Sequence, residues 1–225
     1  MDVGCNRMTK TPKLITVIMF ASLLKLFGCS GQSNKGVTTS KDDSLDVQIS
    51  KSIEDFKNRP VHGVLTSEII DTTSDENLLQ TVFDNLSEKL PKDYKKEFQA
   101  VTSWNKPRQA IYIIWALEGE VNNGGFNQFY FNSSGQFAEL APEALKLVGA
   151  TKFADLVTRA NSVYEKENEK ITKHQDGTLE GFSKSYDDNP LNKFDDEFYA
   201  LSDQENLQQL QIDFVRKNKQ FFIDK

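Results

Sequence analysis

Residues 111–132 read IYIIWALEGEVNNGGFNQFYFN, and this stretch decides the fold. Residues 111–117 are apolar without a break, so a helix built from them is apolar on every side and has to be enclosed by other elements. Asn122-Asn123-Gly124-Gly125 follows, a sequence typical of a helix end and a chain reversal because these residues tolerate positive φ. We therefore expect a buried central helix, a bend, and a short aromatic helical return over residues 126–131.

Helical periodicity, interrupted by stop signals, fills the chain on both sides of this stretch. Apolar residues recur at helical spacing in residues 78–90, 137–148, 153–164, 191–201 and 207–221. Capping boxes predict three helix starts, at Thr73/Glu76, Ser133/Gln136 and Ser202/Glu205. Residues 58–72 and 171–190 carry glycine and proline and should be irregular, the second with room for a helical turn. No sustained alternation indicates a strand. The sequence predicts an all-α fold, a single compact domain of about seven to nine helices over residues 45–225.

The N-terminal segment has the features of a bacterial lipoprotein leader. A basic head precedes residues 14–24, which are largely apolar but too short to span a bilayer core that needs about 20 residues. Leu26-Phe27-Gly28-Cys29 comes next and resembles the lipobox of bacterial lipoproteins, whose cysteine is acylated. A chance cysteine behind a signal peptide is the alternative. We expect a signal peptide over residues 1–28, a lipidated Cys29 anchored in a lipid bilayer, and a flexible tether over residues 29–44.

Cysteine and charge counts limit what the exported part can do. The only two cysteines, Cys5 and Cys29, lie in the leader, so the exported domain can form no internal disulfide. The chain has 27 basic and 33 acidic residues, of which the leader holds four and one, leaving 23 against 32. A protein with this negative charge is not expected to bind nucleic acid or an anionic membrane surface directly. The leader places it in the bacterial cell envelope, outside the cytoplasm.

The segment WALEGEVNNGGFNQFYFNSSG, with ALKLVGA behind it and FDDEFYAL near the C-terminus, resembles the bacterial DNA-mimic protein family. The similarity covers roughly residues 65–222, and its most specific part is EVNNGGFNQF at residues 120–129. The resemblance implies an all-α domain of otherwise unknown function that can form a homodimer. The founding member of the family presents carboxylates that imitate DNA phosphates to a DNA-binding protein, so the resemblance also implies DNA mimicry.

Charge density argues against carrying that activity over to this chain. Duplex DNA has one negative charge per about 1.7 Å, so a mimic of one turn, about 34 Å, should present about 20 charges. The excess of 32 acidic over 23 basic residues falls well short of this, and a protein anchored in the envelope meets no cytoplasmic repressor. We expect the fold of the family without DNA mimicry.

One acidic cluster is a candidate interaction surface. It consists of Asp187, Asp188, Asp195, Asp196 and Glu197, relieved by a single lysine. It could bind a basic protein partner or divalent cations, or it could simply be a solvated acidic surface. Regular calcium-loop spacing is absent, and His62 and His174 lie far apart, so no metal or cofactor site is predicted.

A polar cluster at the bend is the other candidate site, formed by Glu118, Glu120, Asn122, Asn123, Gly124, Gly125, Asn127 and Gln128. Two carboxylates in the last turns of a helix are unfavourable next to its negative end, so they should be compensated nearby. We expect Glu120 to accept hydrogen bonds from the free N–H groups of residues 124–126. Such a cluster is either a structural clamp or a small-ligand pocket. No catalytic motif is present.

Two functions remain open. The favoured one is a non-enzymatic, lipid-anchored, acidic helical domain that binds a protein partner in the envelope. The alternative is an envelope enzyme or small-ligand binder with its site between Glu118 and Gln128. The first predicts a contiguous exposed acidic face with the motif buried, whereas the second predicts a concave opening that contains Glu118 or Glu120.

Overall fold

A computed structural model describes residues 42–174, 176 and 178–224. The predicted signal peptide, Cys29 and the tether up to residue 41 lie outside the described residues. The chain divides into two units, Met1–Arg59 and Pro60–Lys225. In the first, helix α1 spans Asp42–Lys57 and so begins three residues inside the segment expected to be a tether. The second unit contains the predicted central helix, the bend and both candidate sites.

The second unit is built entirely from helices within the described residues, which confirms the predicted all-α fold. Its α-helices are α2 (Ser67–Thr72), α3 (Asp75–Glu88), α4 (Glu97–Ser103), α5 (Lys106–Phe131), α6 (Ala141–Val148), α7 (Thr151–Lys166), α8 (Asn168–Thr172), α9 (Leu179–Lys184), α10 (Asn192–Leu201) and α11 (Leu207–Lys217). Short 3-10 helices occupy Tyr94–Lys96, Ser133–Phe137 and Lys219–Phe221. The number of α-helices in the described chain exceeds seven to nine because α2 and α9 form within the segments 58–72 and 171–190, and α8 follows α7 as a separate short helix.

The central helix is α5, and its first half is enclosed as predicted. Asn105 starts it by accepting a hydrogen bond from the Arg108 N–H at 3.0 Å, and a proline occupies its first turn. Ile111, Ile114 and Leu117 are fully buried. The helices α3, α4, α6 and α10 and the 3-10 helix Ser133–Phe137 pack around α5. Its continuous apolar sequence is therefore matched by neighbours on several sides.

Aromatic rings fill the space around both halves of the central helix. Phe83 of α3 stacks on Trp115, with ring centroids 4.6 Å apart. Phe126, at the start of the second half, meets Phe194 and Phe198 of α10 edge to face, at 6.3 and 6.0 Å. The aromatic residues of the motif thus lie mainly in the core, and they fix α10 against the second half of α5.

The predicted capping boxes at Thr73 and Ser202 are wrong, because each residue belongs to the end of the preceding helix. The Thr73 hydroxyl donates to the Ile69 carbonyl at the end of α2. Glu205, expected to cap its own helix, instead accepts from the Lys152 and Phe153 N–H groups at the start of α7. The local capping pattern therefore does not predict the partners of Glu205, which belong to a distant segment.

Two arginines tie the last helix and the C-terminal segment to the rest of the unit. Arg216 of α11 donates to the Ile70 and Thr73 carbonyls, at 2.6 and 2.8 Å, in the turn between α2 and α3. Arg108 donates to the Phe222 carbonyl at 2.7 Å and pairs with Asp224 at 2.8 Å. These guanidinium groups donate to carbonyls at the end of α2 and in the C-terminal segment, where the backbone lacks helical partners.

Candidate functional site

The glycine bend divides α5 into two helical halves. Gly125 has φ 70° and ψ −174°, a conformation that is accessible essentially to glycine alone. A Cβ atom at this position would lie 2.2 Å from Asp195 Oδ2, so the close approach of α10 also requires glycine. The predicted bend at Gly124-Gly125 is confirmed. It produces a kink within one long helical element and leaves backbone groups on both sides without helical partners.

Asp195 of α10 caps the second half of the helix. Its Oδ1 accepts the Phe126 N–H at 2.7 Å. This corrects the expectation that Glu120 would accept the free N–H groups of the bend. Burial raises the pKa of Asp195 to about 6, an effect that the Phe126 N–H opposes and the charge of Asp196 reinforces. Asp195 is therefore part of the bend rather than a member of a free acidic surface.

Two tyrosines satisfy the carbonyl groups at the end of the first half. The Tyr199 hydroxyl donates to the Val121 carbonyl at 2.9 Å, and the Tyr186 hydroxyl donates to the Gly124 carbonyl at 2.9 Å. Neither tyrosine was predicted to belong to the site. Tyr199 lies in the FDDEFYAL segment, four residues after Asp195, so one turn of α10 supplies partners to both sides of the bend.

Asn127 fixes the chain before α10 to the second half of the central helix. It is fully buried, donates to the Ser185 hydroxyl at 2.7 Å, and accepts from Asn189 Nδ2 at 3.0 Å. Asn189 in turn donates to the Ser185 carbonyl at 2.8 Å. A buried amide with its donor and acceptor both engaged specifies one arrangement of the packed segments.

Glu120 joins the first half of the helix to the segment that follows the second half. Its carboxylate accepts from Gln128 Nε2 at 2.7 Å, Asn132 Nδ2 at 2.8 Å and the Ser134 hydroxyl at 2.9 Å. Asn123 donates to Gln128 Oε1 at 2.7 Å and extends the same network. The partners of Glu120 are therefore side chains beyond the bend instead of the expected backbone N–H groups.

Glu118 faces a different helix. It is partly buried and accepts from Gln211 Nε2 of α11 at 2.8 Å. Burial raises its pKa to about 7, although the hydrogen bond from Gln211 acts in the opposite direction. Asn122, one turn further along, is also partly buried. The predicted polar cluster therefore lies together at the bend, but Glu118 and Glu120 serve two separate contacts.

The predicted acidic surface divides into exposed and engaged members. Asp187, Asp188 and Asp196 are exposed. Asp188 pairs with Lys170 at 3.1 Å, and Glu197 pairs with Arg159 of α7. Within the described part of the chain, no group of three or more His, Cys, Asp or Glu residues is placed to hold a metal ion. Of this predicted acidic surface, Asp187 and Asp196 are therefore the members that are exposed and form no ion pair with the described residues.

Two shallow depressions are present on the described surface. One, of about 390 Å³ between α7 and α10, is lined by Arg159, Ser162, Val163, Lys193, Phe194 and Glu197. The other, of about 450 Å³ near the C-terminal segment, is lined by Asn105, Arg108, Gln220, Phe221, Ile223 and Asp224. Neither is lined by Glu118 or Glu120.

Comparison with known proteins gives a match over the region just described. A family model described as DMP19-like protein matches residues 102–218, which is more than half of the chain and includes the central helix, the bend and α6–α11. No curated protein and no solved structure matches the chain. Among the described residues, no helix combines the length and apolar character needed to cross a membrane.

Proposed function

The chain belongs to the DMP19-like family of DNA-mimic-like proteins, and on that premise we propose that it is a non-enzymatic, lipid-anchored interaction domain of the bacterial cell envelope. Its acidic helical surface binds a protein partner that carries a basic surface. It shares the family fold but contacts no nucleic acid directly. Anchoring occurs through acylated Cys29, and residues 30–41 bridge the lipid and the described chain.

The distribution of charge is the observation that carries this proposal. Residues 60–225 contain 27 acidic and 18 basic residues. The three arginines of this unit, Arg108, Arg159 and Arg216, are all held by carboxylates or carbonyls of the protein itself. In the predicted acidic cluster, Asp187 and Asp196 remain exposed. Exposed negative charge speeds the approach of a basic surface and selects against acidic ones.

The contacts of the bend support a binding role over a catalytic one. Glu120 accepts three hydrogen bonds from protein side chains, and Glu118 accepts one from Gln211. A catalytic carboxylate has to reach a substrate atom, usually at 2.6 to 3.2 Å. Carboxylates that hold helices together and line neither of the two depressions suit a structural role for the motif.

Photo-crosslinking within the native envelope tests the proposal. A photoreactive residue at position 187 or 196 should give a defined protein adduct, and the same residue at position 143 on α6 is the matched control. Neutralising Asp187 and Asp196 together to Asn should abolish an adduct formed from a third position, residue 192, and added salt should weaken it. An adduct of equal yield in the neutralised variant would contradict the proposal.

The anchor and the homodimer are tested separately. Cys29→Ser should move the protein from the membrane fraction to the soluble fraction, because the substitution removes the proposed site of acylation and with it the lipid anchor. Retention in the membrane would contradict lipid attachment.

Sedimentation of the unacylated protein should report a dimer if two copies pool their acidic surfaces. A duplex DNA probe should show no mobility shift with this protein.

A further inference from the structure

A partly buried glutamate meets a buried glutamine where the central helix contacts α11. Glu118 Oε2 accepts from Gln211 Nε2 at 2.8 Å, and Gln211 is fully buried. The oxygen of this amide, Gln211 Oε1, is buried and has no hydrogen-bond partner among the described residues. Buried polar atoms are nearly always paired, so an acceptor left alone beside a carboxylate calls for an explanation.

The protonation state of Glu118 supplies one. An ionised carboxylate can only accept, so it engages the amide N–H and leaves Gln211 Oε1 alone. A protonated carboxyl group can accept the amide N–H and also donate its own proton to an amide oxygen. This complementary pair of hydrogen bonds satisfies both groups, and it also avoids burying a charge that has no cation beside it.

We propose that Glu118 and Gln211 form a pH-sensitive latch between the central helix and α11, tight when Glu118 is protonated and loosened when it ionises. The proposal is independent of the partner-binding function. It assigns a specific role to a carboxylate that the clamp at the bend does not use.

The surroundings of the pair place the transition near neutral pH. Burial raises the pKa of Glu118 to about 7 from an ordinary 4.5, and only the Gln211 hydrogen bond opposes this. Charged residues on the surrounding helices do not contribute to this shift, among them Asp84 on α3, Glu97 on α4, Glu143 and Lys146 on α6, Asp195 on α10, and Asp213 and Arg216 on α11. A folded-state pKa above the unfolded value means that the stabilisation is complete below about pH 4.5 and is lost as pH rises through about 7.

Replacing Glu118 by Gln tests the latch, because an amide reproduces the protonated carboxyl group at every pH. Asp195 titrates in a neighbouring range, so the full-length variant is compared with the full-length wild type at each pH. The melting temperature of wild type should fall between pH 5 and pH 8, and Glu118→Gln should reduce that fall by about 5 °C. The same pH dependence in both proteins would overturn the proposal.

A second measurement does not depend on the stability of a variant. The carboxyl carbon resonance of Glu118 in the wild-type chain, assigned by its loss in Glu118→Gln or by through-bond correlation, should titrate with a midpoint above pH 6. Exchange of α11 amide protons, corrected for intrinsic pH dependence, should accelerate over the same interval. A midpoint near the ordinary 4.5, or exchange that is unchanged across it, would refute the latch.

Discussion

Replacing Asp195 by Ala should destabilise the protein through the glycine bend, at a distance from any binding surface. The carboxylate lies 2.7 Å from the Phe126 N–H, and Phe126 itself is fully buried. Removing the acceptor leaves a donor at a helix start without a partner, which costs about 1–3 kcal/mol. Loss of helix capping acts on the same group and is contained in this figure. We therefore expect a loss of about 2 kcal/mol in the free energy of unfolding.

The matched controls separate the hydrogen bond from the charge. Asp195→Asn keeps an acceptor oxygen and removes a charge whose pKa burial raises to about 6, so it should change stability by less than about 1 kcal/mol at pH 7. Asp196→Ala removes an exposed neighbour and should be nearly neutral. The assay is chemical unfolding of all three variants and wild type in urea. Equal destabilisation by Asp195→Ala and Asp196→Ala would refute the reasoning.

Three further perturbations test other contacts of the fold. Gly125→Ala should lower the free energy of unfolding by about 3 kcal/mol or more in thermal unfolding, because it combines φ 70° with a Cβ 2.2 Å from Asp195. The control Gly63→Ala should be tolerated, because nothing lies within 4 Å of its Cβ. Glu120→Gln should lower the melting temperature, corresponding to about 1–2 kcal/mol, because the single oxygen of an amide cannot replace the two carboxylate oxygens that accept from three donors. An unchanged melting curve would count against the clamp. Asp224→Asn should cost about 2 kcal/mol at pH 7 and flatten the acid side of the stability profile. Burial opposes the ionisation of Asp224, but the Leu65 N–H and the side chains of Lys89, Asn85 and Arg108 lower its pKa to about 2. The stabilisation by Asp224 is therefore present above about pH 3.8 and is lost as the pH falls towards 2.

The parts of the fold that the sequence could predict are those fixed by neighbours along the chain. Continuous apolar residues at 111–117 required an enclosed helix, and two glycines after two asparagines required a bend. Both depend on residues within one or two turns of each other.

The identity of the partners at the bend could not be predicted, because they come from distant segments. Asp195 lies 69 positions from Phe126, and Glu205 lies 52 positions from Phe153. Local capping rules assign an acidic residue to the nearest helix start, and here packing of α10 and α7 brings other helix starts closer. Asp195 was accordingly counted as surface charge, although its neighbour Asp196 is the exposed one.

The signature of the family and the proposed activity lie in different places on the molecule. The EVNNGGFNQF segment is engaged in its own hydrogen bonds, with Asn127 fully buried and Glu120 holding three donors. Such a segment specifies how α5 bends and where α10 docks. The carboxylates at Asp187 and Asp196 are then presented by a rigid support, which lowers the ordering cost of binding.

The central claim is that exposed carboxylates beside α10 carry binding while the motif carries stability. Its most direct test is the yield of the photo-crosslinked adduct from residue 192 in the native envelope, measured for Asp187→Asn/Asp196→Asn and for Glu120→Gln at a temperature where both are folded. We predict that the first variant loses the adduct with an unchanged melting temperature, and that the second keeps the adduct with a lowered one. Loss of the adduct in Glu120→Gln alone would contradict this account and place the function at the bend.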